Sequence, residues 1–417
     1  MIDFTTLINK YGSPLYVYKL DAITKAYKKL TSSLPEDSIL YYSLKANPNP
    51  EVTKHLISLG CYAEVSSIGE LNTALGAGAH PENCIYTGPG KTKKEVNFAL
   101  SKNINHFSVE SVEELIMIDK LTREFDQSVN ITLRINPAFN VGKASIKMTG
   151  LPSQFGFDEE SIDVNLIQSI IKKNERLKIN GFHIYNGSNF YNVDVIEENF
   201  RNTLNTVINL KEKLSLKLEF INFGGGFAAP FGKKEPLPSY KQLRKRLENL
   251  LEDKLKCGTR PKIAFESGRY LTATCGTLIG TVQSVKTSKG KRYCIVDFGI
   301  NHIGGMSGLR RIPTVELQLT KLNSSVSENI KIDNMNIVGP LCTPLDYLAK
   351  NISLEYMEPG DIVFVSNVGA YGLTGSLLGF LSREIPKEVI IHNKEIQCVH
   401  SIELVRKLET REIIGVK

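Results

Sequence analysis

The feature that most constrains the fold of this chain is a rhythm. Short β-prone segments, "SILYYSL" (38–44), "CYAEV" (61–65), "CIYTG" (84–88), "HFSVE" (106–110), "NITLRIN" (130–136), "GFHIY" (181–185), "LEFINFG" (218–224) and "KIAFE" (262–266), recur along the first two thirds. Stretches of helical periodicity such as "VEELIMIDKLTREF" and "YKQLRKRLENLLEDKL" separate most of them. About eight such units over roughly 240 residues is the size of a TIM barrel. The expected class is therefore α/β, with a (β/α)8 barrel over 28–270. After residue 270 the chain turns strand-rich with turn punctuation, in "GTLIGTVQSVKTSKGKRYCIVDFG", "DIVFVSNVG" and "EIIGVK". That predicts a C-terminal antiparallel β-sandwich domain over 271–417. Residues 1–27, whose strand-like "PLYVYKL" could serve either part, are assigned to it.

Charge and cysteine usage narrow the function class. The formal net charge is +7, but the basic residues are scattered and form no stripe, so no nucleic-acid partner is expected. The seven cysteines are dispersed and show no CxxC pair, which argues against a disulfide framework or a structural zinc and for a reducing compartment. Cys275 and Cys294 lie in apolar strand contexts and read as core. No HxH or HExxH pattern suggests a metal site. The N-terminus lacks a signal-peptide pattern and no apolar run is long enough for a membrane span, so the cytoplasm is the default expectation.

Chemistry should gather at the carboxyl ends of barrel strands. The segment "ILYYSLKANPN" (39–49) ends a buried-type strand in Lys45, where a strongly hydrated ammonium is out of pattern. Glu64, Arg134, Tyr185, Gly224 and Glu266 fall at or just past other strand ends. A single charged residue there can simply mark where the chain reaches solvent, but the set together is harder to explain that way. In "NFGGGF", Gly224, Gly225 and Gly226 allow close backbone approach and N–H groups converging on a phosphate, although a glycine run is also a plain βα turn. "FESGR" adds a carboxylate, Glu266, and the forked donor Arg269. Amine, phosphate cradle and a carboxylate able to meet a protonated ring nitrogen together describe a pyridoxal phosphate site.

On "YSLKAN", "EVSSIGEL", "GGGF", "ESGRYLTA", "VDFGIN", "GPLCTPLD" and "GAYG", in this order over nearly the whole chain, the sequence resembles the fold-type III pyridoxal phosphate decarboxylases of diaminopimelate, ornithine and arginine. The resemblance implies pyridoxal 5'-phosphate as cofactor and a head-to-tail homodimer with shared active sites. It implies that Lys45 is the Schiff-base lysine and that Glu266 faces the pyridine nitrogen. Ser188, Gly225, Arg269 and Tyr371 correspond to phosphate ligands, with Gly224 and Gly226 beside them. Glu64 stands where the family has an aspartate near the lysine, and Arg134 matches an arginine beneath the cofactor. Cys342 corresponds to the cysteine that the partner subunit contributes as proton donor. A site beside other cations is expected to lower the pKa of Lys45, since the amine must lose its proton to react.

Departures from the family pattern bear on the substrate. Tyr185 occupies the position of the histidine stacked on the cofactor; His183 lies two residues earlier on the same strand face. Thr343 follows Cys342 where diaminopimelate and ornithine enzymes carry an acidic residue for the distal ammonium. Thr343, Asp346 and His183 are the substrate-binding candidates. The expected function is decarboxylation of a conjugated amino acid, or one tethered to an acyl carrier protein, in a specialised biosynthetic pathway. Alternatives are decarboxylation of free diaminopimelate or another free amino acid, racemisation on the same barrel, and a non-catalytic regulatory relative. Specificity is expected in loops 139–156 and 303–311.

Overall fold

A computed structural model describes residues 3–139, 146–147, 152–255, 260–304, 316–322 and 330–407. Most of the two loops expected to carry specificity (140–145, 148–151 and 305–315), Cys257 and the strand-like "EIIGVK" lie outside the described residues. The chain divides into two compact units, one of residues 18–277 with 366–371, the other of 1–17, 278–365 and 372–417.

The first unit is a closed barrel of eight parallel strands: β1 Ile39–Ser43, β2 Tyr62–Val65, β3 Cys84–Tyr86, β4 His106–Val109, β5 Val129–Asn136, β6 Leu177–His183, β7 Phe220–Asn222 and β8 Lys262–Ser267. Each pairs with the next, and β8 returns to β1 through Ala264 to Ile39 and Ser267 to Tyr42. Closure leaves no open edge, so strands buried on both faces can be almost wholly apolar. Inside, Tyr41, Ile85, Phe220 and Ala264 form one packed cluster. Helices begin where short polar caps follow the strands: Asn49 before Pro50–Ser58, Ser67 before Ile68–Gly76, Thr92 with Glu95 as a capping box, and Ser111 before Val112–Glu124. The barrel unit takes in the helix Leu20–Thr31, whose Leu20, Ile23, Ala26 and Leu30 are buried.

The second unit is built on a nine-stranded sheet. Its main path runs Tyr347–Glu355, Lys331–Val338, Lys291–Val296, Gly276–Ser288, Leu15–Lys19, Lys387–His392, Glu395–His400. The sheet is mixed rather than wholly antiparallel, because Lys291–Val296 and Lys331–Val338 run parallel. A parallel pair needs a crossover of a dozen residues or more, and the sequence between the two strands is longer than that. The strand at Leu15–Lys19 joins this sheet, and Leu7, Leu15, Val17, Ile279, Val389 and Ile391 form its core. Cys275 and Cys294 are both buried. Among the described residues no helix is long and apolar enough to cross a membrane.

Candidate active site

Lys45 is placed by the residues that follow it. β1 ends at Ser43, a single 3-10 turn spans Leu44–Ala46, and the Tyr42 hydroxyl donates to the Asn47 carbonyl at 2.5 Å. Asn47 Oδ1 accepts from Asn49 N and Asn49 Oδ1 accepts from Glu51 N, each at 3.0 Å, so the helix starts at once on Pro50. The segment 366–371 locks the turn from a distant part of the sequence: Tyr371 N donates to the Ala46 carbonyl at 2.7 Å and Asn47 Nδ2 to the Gly369 carbonyl at 2.9 Å. Ala46, Ala229, Ala273 and Ala370 fill the space beneath.

A cavity is lined by Lys45, Tyr185, Ser188, Gly225, Gly226, Glu266, Arg269 and Tyr371, with Ser43, Asn189, Phe227, Ser267 and Gly268. Eight of the expected residues thus meet in one place. The glycines there are required by space. A Cβ on Gly224, whose φ is +63°, would lie 2.7 Å from the Tyr185 ring, and one on Gly226 would lie 2.6 Å from the Gly187 carbonyl oxygen. Tyr185 shares a hydrogen bond of 2.7 Å with Ser188, and the Arg269 guanidinium lies 4.7 Å from the centre of the Tyr371 ring.

Lys45 Nζ donates to both oxygens of buried Glu64, at 3.1 and 3.3 Å, and Thr87 Oγ1 donates to Glu64 Oε1 at 2.6 Å. The expected depression of the Lys45 pKa is corrected by these neighbours. The Lys45 side chain is half exposed; partial removal from water would lower its pKa, but Glu64, Tyr371, Glu266 and Tyr185 outweigh this and hold the amine well above the ordinary lysine range. The groups that raise it are carboxylates and phenols.

Glu266 is buried; Oε1 accepts from Asn222 Nδ2 at 2.8 Å and faces His183 Nε2 at 3.3 Å. Burial alone would raise its pKa, yet His183, Lys45 and Asn222 together draw it below the usual carboxylate range, to about 2. A carboxylate depressed on folding stabilises the fold above its unfolded value of about 4.5, and that contribution is lost as pH falls toward about 2. Denaturation midpoints measured across this window should therefore drop with acid, and Glu266→Gln should flatten the drop; an unchanged acid limb would contradict the assignment.

Three expected residues stand outside the cavity lining. His183 is buried behind Glu266, its Nδ1 hydrogen bonded to Ser108 Oγ at 2.9 Å. Arg134 also stands outside the lining, with Nη1 donating to Glu110 Oε1 at 2.9 Å and its guanidinium over Phe155. Asp346 belongs to the sheet unit and is buried, its oxygens accepting from Ile300 N and Leu341 N, both at 2.9 Å. It braces the loop that carries the exposed Cys342 and the half-buried Thr343. Cβ atoms on Gly299 or Gly339 would collide with its carboxylate. Asp346→Ala would orphan two backbone N–H groups and should cost about 2 kcal/mol or more in denaturant unfolding; a smaller loss would mean water replaces both bonds.

Thr87, Ser108 and Asn222 were missed, although each is a short polar residue at or just past a strand end, the position where chemistry is expected. Also missed was Lys91, buried with its Nζ 2.5 Å from Glu114 and donating to the Gly88 and Ser108 carbonyls at 2.8 and 2.6 Å.

The cavity thus offers an amine, an anionic carboxylate, and hydroxyl, guanidinium and glycine-backbone donors. This set fits a carbonyl compound that also carries a phosphate and a basic nitrogen. Comparison with known proteins agrees. Residues 20–273 match the family model for the pyridoxal-dependent decarboxylase pyridoxal binding domain. The chain is 34% identical to the L-glutamyl-[BtrI acyl-carrier protein] decarboxylase of Niallia circulans, over 99% of this chain and 95% of that protein. It is 28% identical to the 2-[(L-alanin-3-ylcarbamoyl)methyl]-2-hydroxybutanedioate decarboxylase of Staphylococcus aureus, over 90% and 93%. The crystal structure of diaminopimelate decarboxylase from Methanocaldococcus jannaschii superimposes with a TM-score of 0.84 at 28% identity, covering 94% of this chain and 90% of that one. The chain belongs to the pyridoxal-dependent decarboxylases, and its cofactor is pyridoxal 5'-phosphate.

Proposed function

We propose that this decarboxylase acts on a conjugated or carrier-tethered amino acid rather than on a small diamine precursor. The observation that carries this is the loop 341–346. Its acidic residue, Asp346, is committed to backbone N–H groups, Leu341 N of the same loop and Ile300 N, and Thr343 stands next to Cys342 with its hydroxyl accepting from Leu345 N at 3.3 Å. Neither residue supplies a carboxylate for a distal ammonium, and a buried ammonium without one would cost several kcal/mol. The names of the Niallia and Staphylococcus relatives, which describe a carrier-bound glutamyl group and a conjugated amino acid, support the same reading.

In this reading Lys45 Nζ holds the cofactor covalently, and Glu64 is placed to take the ammonium's proton and leave a reactive amine. Gly224, Gly225 and Gly226 with Ser188, Arg269 and Tyr371 hold the phosphate; Glu266 holds the ring nitrogen; Tyr185 offers an aromatic face to the ring. The bound cofactor supplies an electron sink that accepts the electrons released with carbon dioxide. Cys342 of a partner subunit then returns a proton to the substrate carbon. The working form is a cytoplasmic homodimer.

Carbon dioxide release should be followed from free diaminopimelate, ornithine, lysine, arginine and glutamate beside glutamyl and other aminoacyl conjugates, including a carrier-bound thioester. Release confined to conjugates is expected. Release from free diaminopimelate at a comparable rate would overturn the reading of Thr343.

A further inference from the structure

We infer that Ser108 and His183 are positioning residues behind Glu266: the serine hydroxyl donates to His183 Nδ1, leaving the ring's Nε2–H against Glu266 Oε1 and fixing how that carboxylate presents itself to the cavity. The inference rests on the reading of Glu266 as partner of the cofactor's ring nitrogen.

All three side chains are buried, so each polar atom must be matched within the protein. The imidazole has two neighbours, Ser108 Oγ at 2.9 Å from Nδ1 and Glu266 Oε1 at 3.3 Å from Nε2. A lone pair on Nε2 would face a carboxylate oxygen and be repelled. The carboxylate therefore selects a proton on Nε2, and in the neutral ring Nδ1 is then an acceptor that the serine O–H satisfies. The His183 to Glu266 contact is not aligned as a hydrogen bond; the aligned donor to the same oxygen is Asn222 Nδ2 at 2.8 Å. Both partners use Oε1 and come from the neighbouring strands β6 and β7, while Glu266 also lines the cavity.

The assembly is anchored further back. The Ser108 carbonyl accepts from Lys91 Nζ at 2.6 Å, and that ammonium is buried against Glu114. The polar chain thus runs from Lys91 through Ser108 and His183 to Glu266 and is tied to three barrel strands: β4 at Ser108, β6 at His183 and β8 at Glu266.

A double-mutant cycle on the pyridoxal phosphate-loaded protein tests this. Ser108→Ala, His183→Gln, Glu266→Gln and His183→Gln with Glu266→Gln would be compared for thermal midpoint, dissociation constant for pyridoxal phosphate, visible absorbance of the bound cofactor, kcat and KM. Ser108→Ala and His183→Gln should shift the absorbance in the same direction as Glu266→Gln and lower kcat about 10-fold with KM little changed, the size of one hydrogen bond to a charged group. His183→Gln should add nothing once Glu266 is glutamine. If its effects on absorbance and kcat persist undiminished in that background, or Ser108→Ala folds normally and matches wild type, the positioning role is wrong. If Glu266→Gln itself matches wild type in both, the reading of Glu266 fails and takes the inference with it.

Discussion

Replacing Lys45 by alanine should lower carbon dioxide release by at least about 10³-fold, because in the proposed mechanism the residue supplies both a nucleophile and a proton-carrying amine, and acid–base roles alone are worth about 10²–10⁴-fold. The substitution also leaves Glu64 buried without its cation, so a loss of stability could masquerade as a loss of chemistry. Lys45→Arg separates the two. Arginine keeps a positive charge beside Glu64 but stays protonated, and so cannot react with a carbonyl carbon. The arginine variant should keep the wild-type thermal midpoint within a few degrees and be as inactive as the alanine variant. It should also lack the visible absorbance of a lysine-bound cofactor. Substantial turnover by either variant would remove Lys45 from the mechanism. The raised pKa of Lys45 sharpens the expectation: the amine has to surrender a proton before it can react, and Glu64 is the hydrogen-bonded acceptor. Glu64→Gln should therefore slow cofactor attachment more than it weakens phosphate binding.

The barrel was legible because its alternation is a local property: apolar strand, polar cap, amphipathic helix. Lys45, Glu266 and the three glycines were legible for a related reason, since a strand end in this fold points at the site whatever the rest of the chain does. The electrostatic partners were not. Whether a lysine meets cations or carboxylates depends on which strands become neighbours, and β1 places Lys45 beside Glu64 of β2. The return of 366–371 to the Lys45 turn spans more than 300 residues of sequence and leaves no local signature, so Tyr371 was reachable only through resemblance. Asp346 illustrates the opposite case. A carboxylate four residues after Cys342 looks like a substrate group in sequence, but its oxygens accept from Leu341 N of its own loop and from Ile300 N. The parallel pair in the sheet escaped notice because strand direction there is decided by a long crossover, not by composition.

Cys342→Ala should retain pyridoxal phosphate and reduce turnover about 100-fold, the lower end for loss of a positioned proton donor. The residues proposed to hold the cofactor all belong to the barrel unit, whereas Cys342 belongs to the sheet unit, so on this proposal cofactor binding and protonation are separable by mutation. The proposal that the cysteine acts across a dimer makes a stronger demand. Lys45→Ala and Cys342→Ala subunits are each nearly inactive alone. In a symmetric dimer whose sites combine Lys45 of one subunit with Cys342 of the other, mixing equal amounts with subunit exchange makes about half of the dimers hybrid. Each hybrid has one site with both lesions and one with none, so about a quarter of wild-type turnover should return. Were Cys342 to serve the barrel of its own subunit, every site in the hybrid would carry one lesion and nothing would return. Recovery must also track the hybrid fraction, which differently tagged subunits and mass measurement report, and it must vanish when the two lesions are placed in one chain and mixed with a chain carrying either alone.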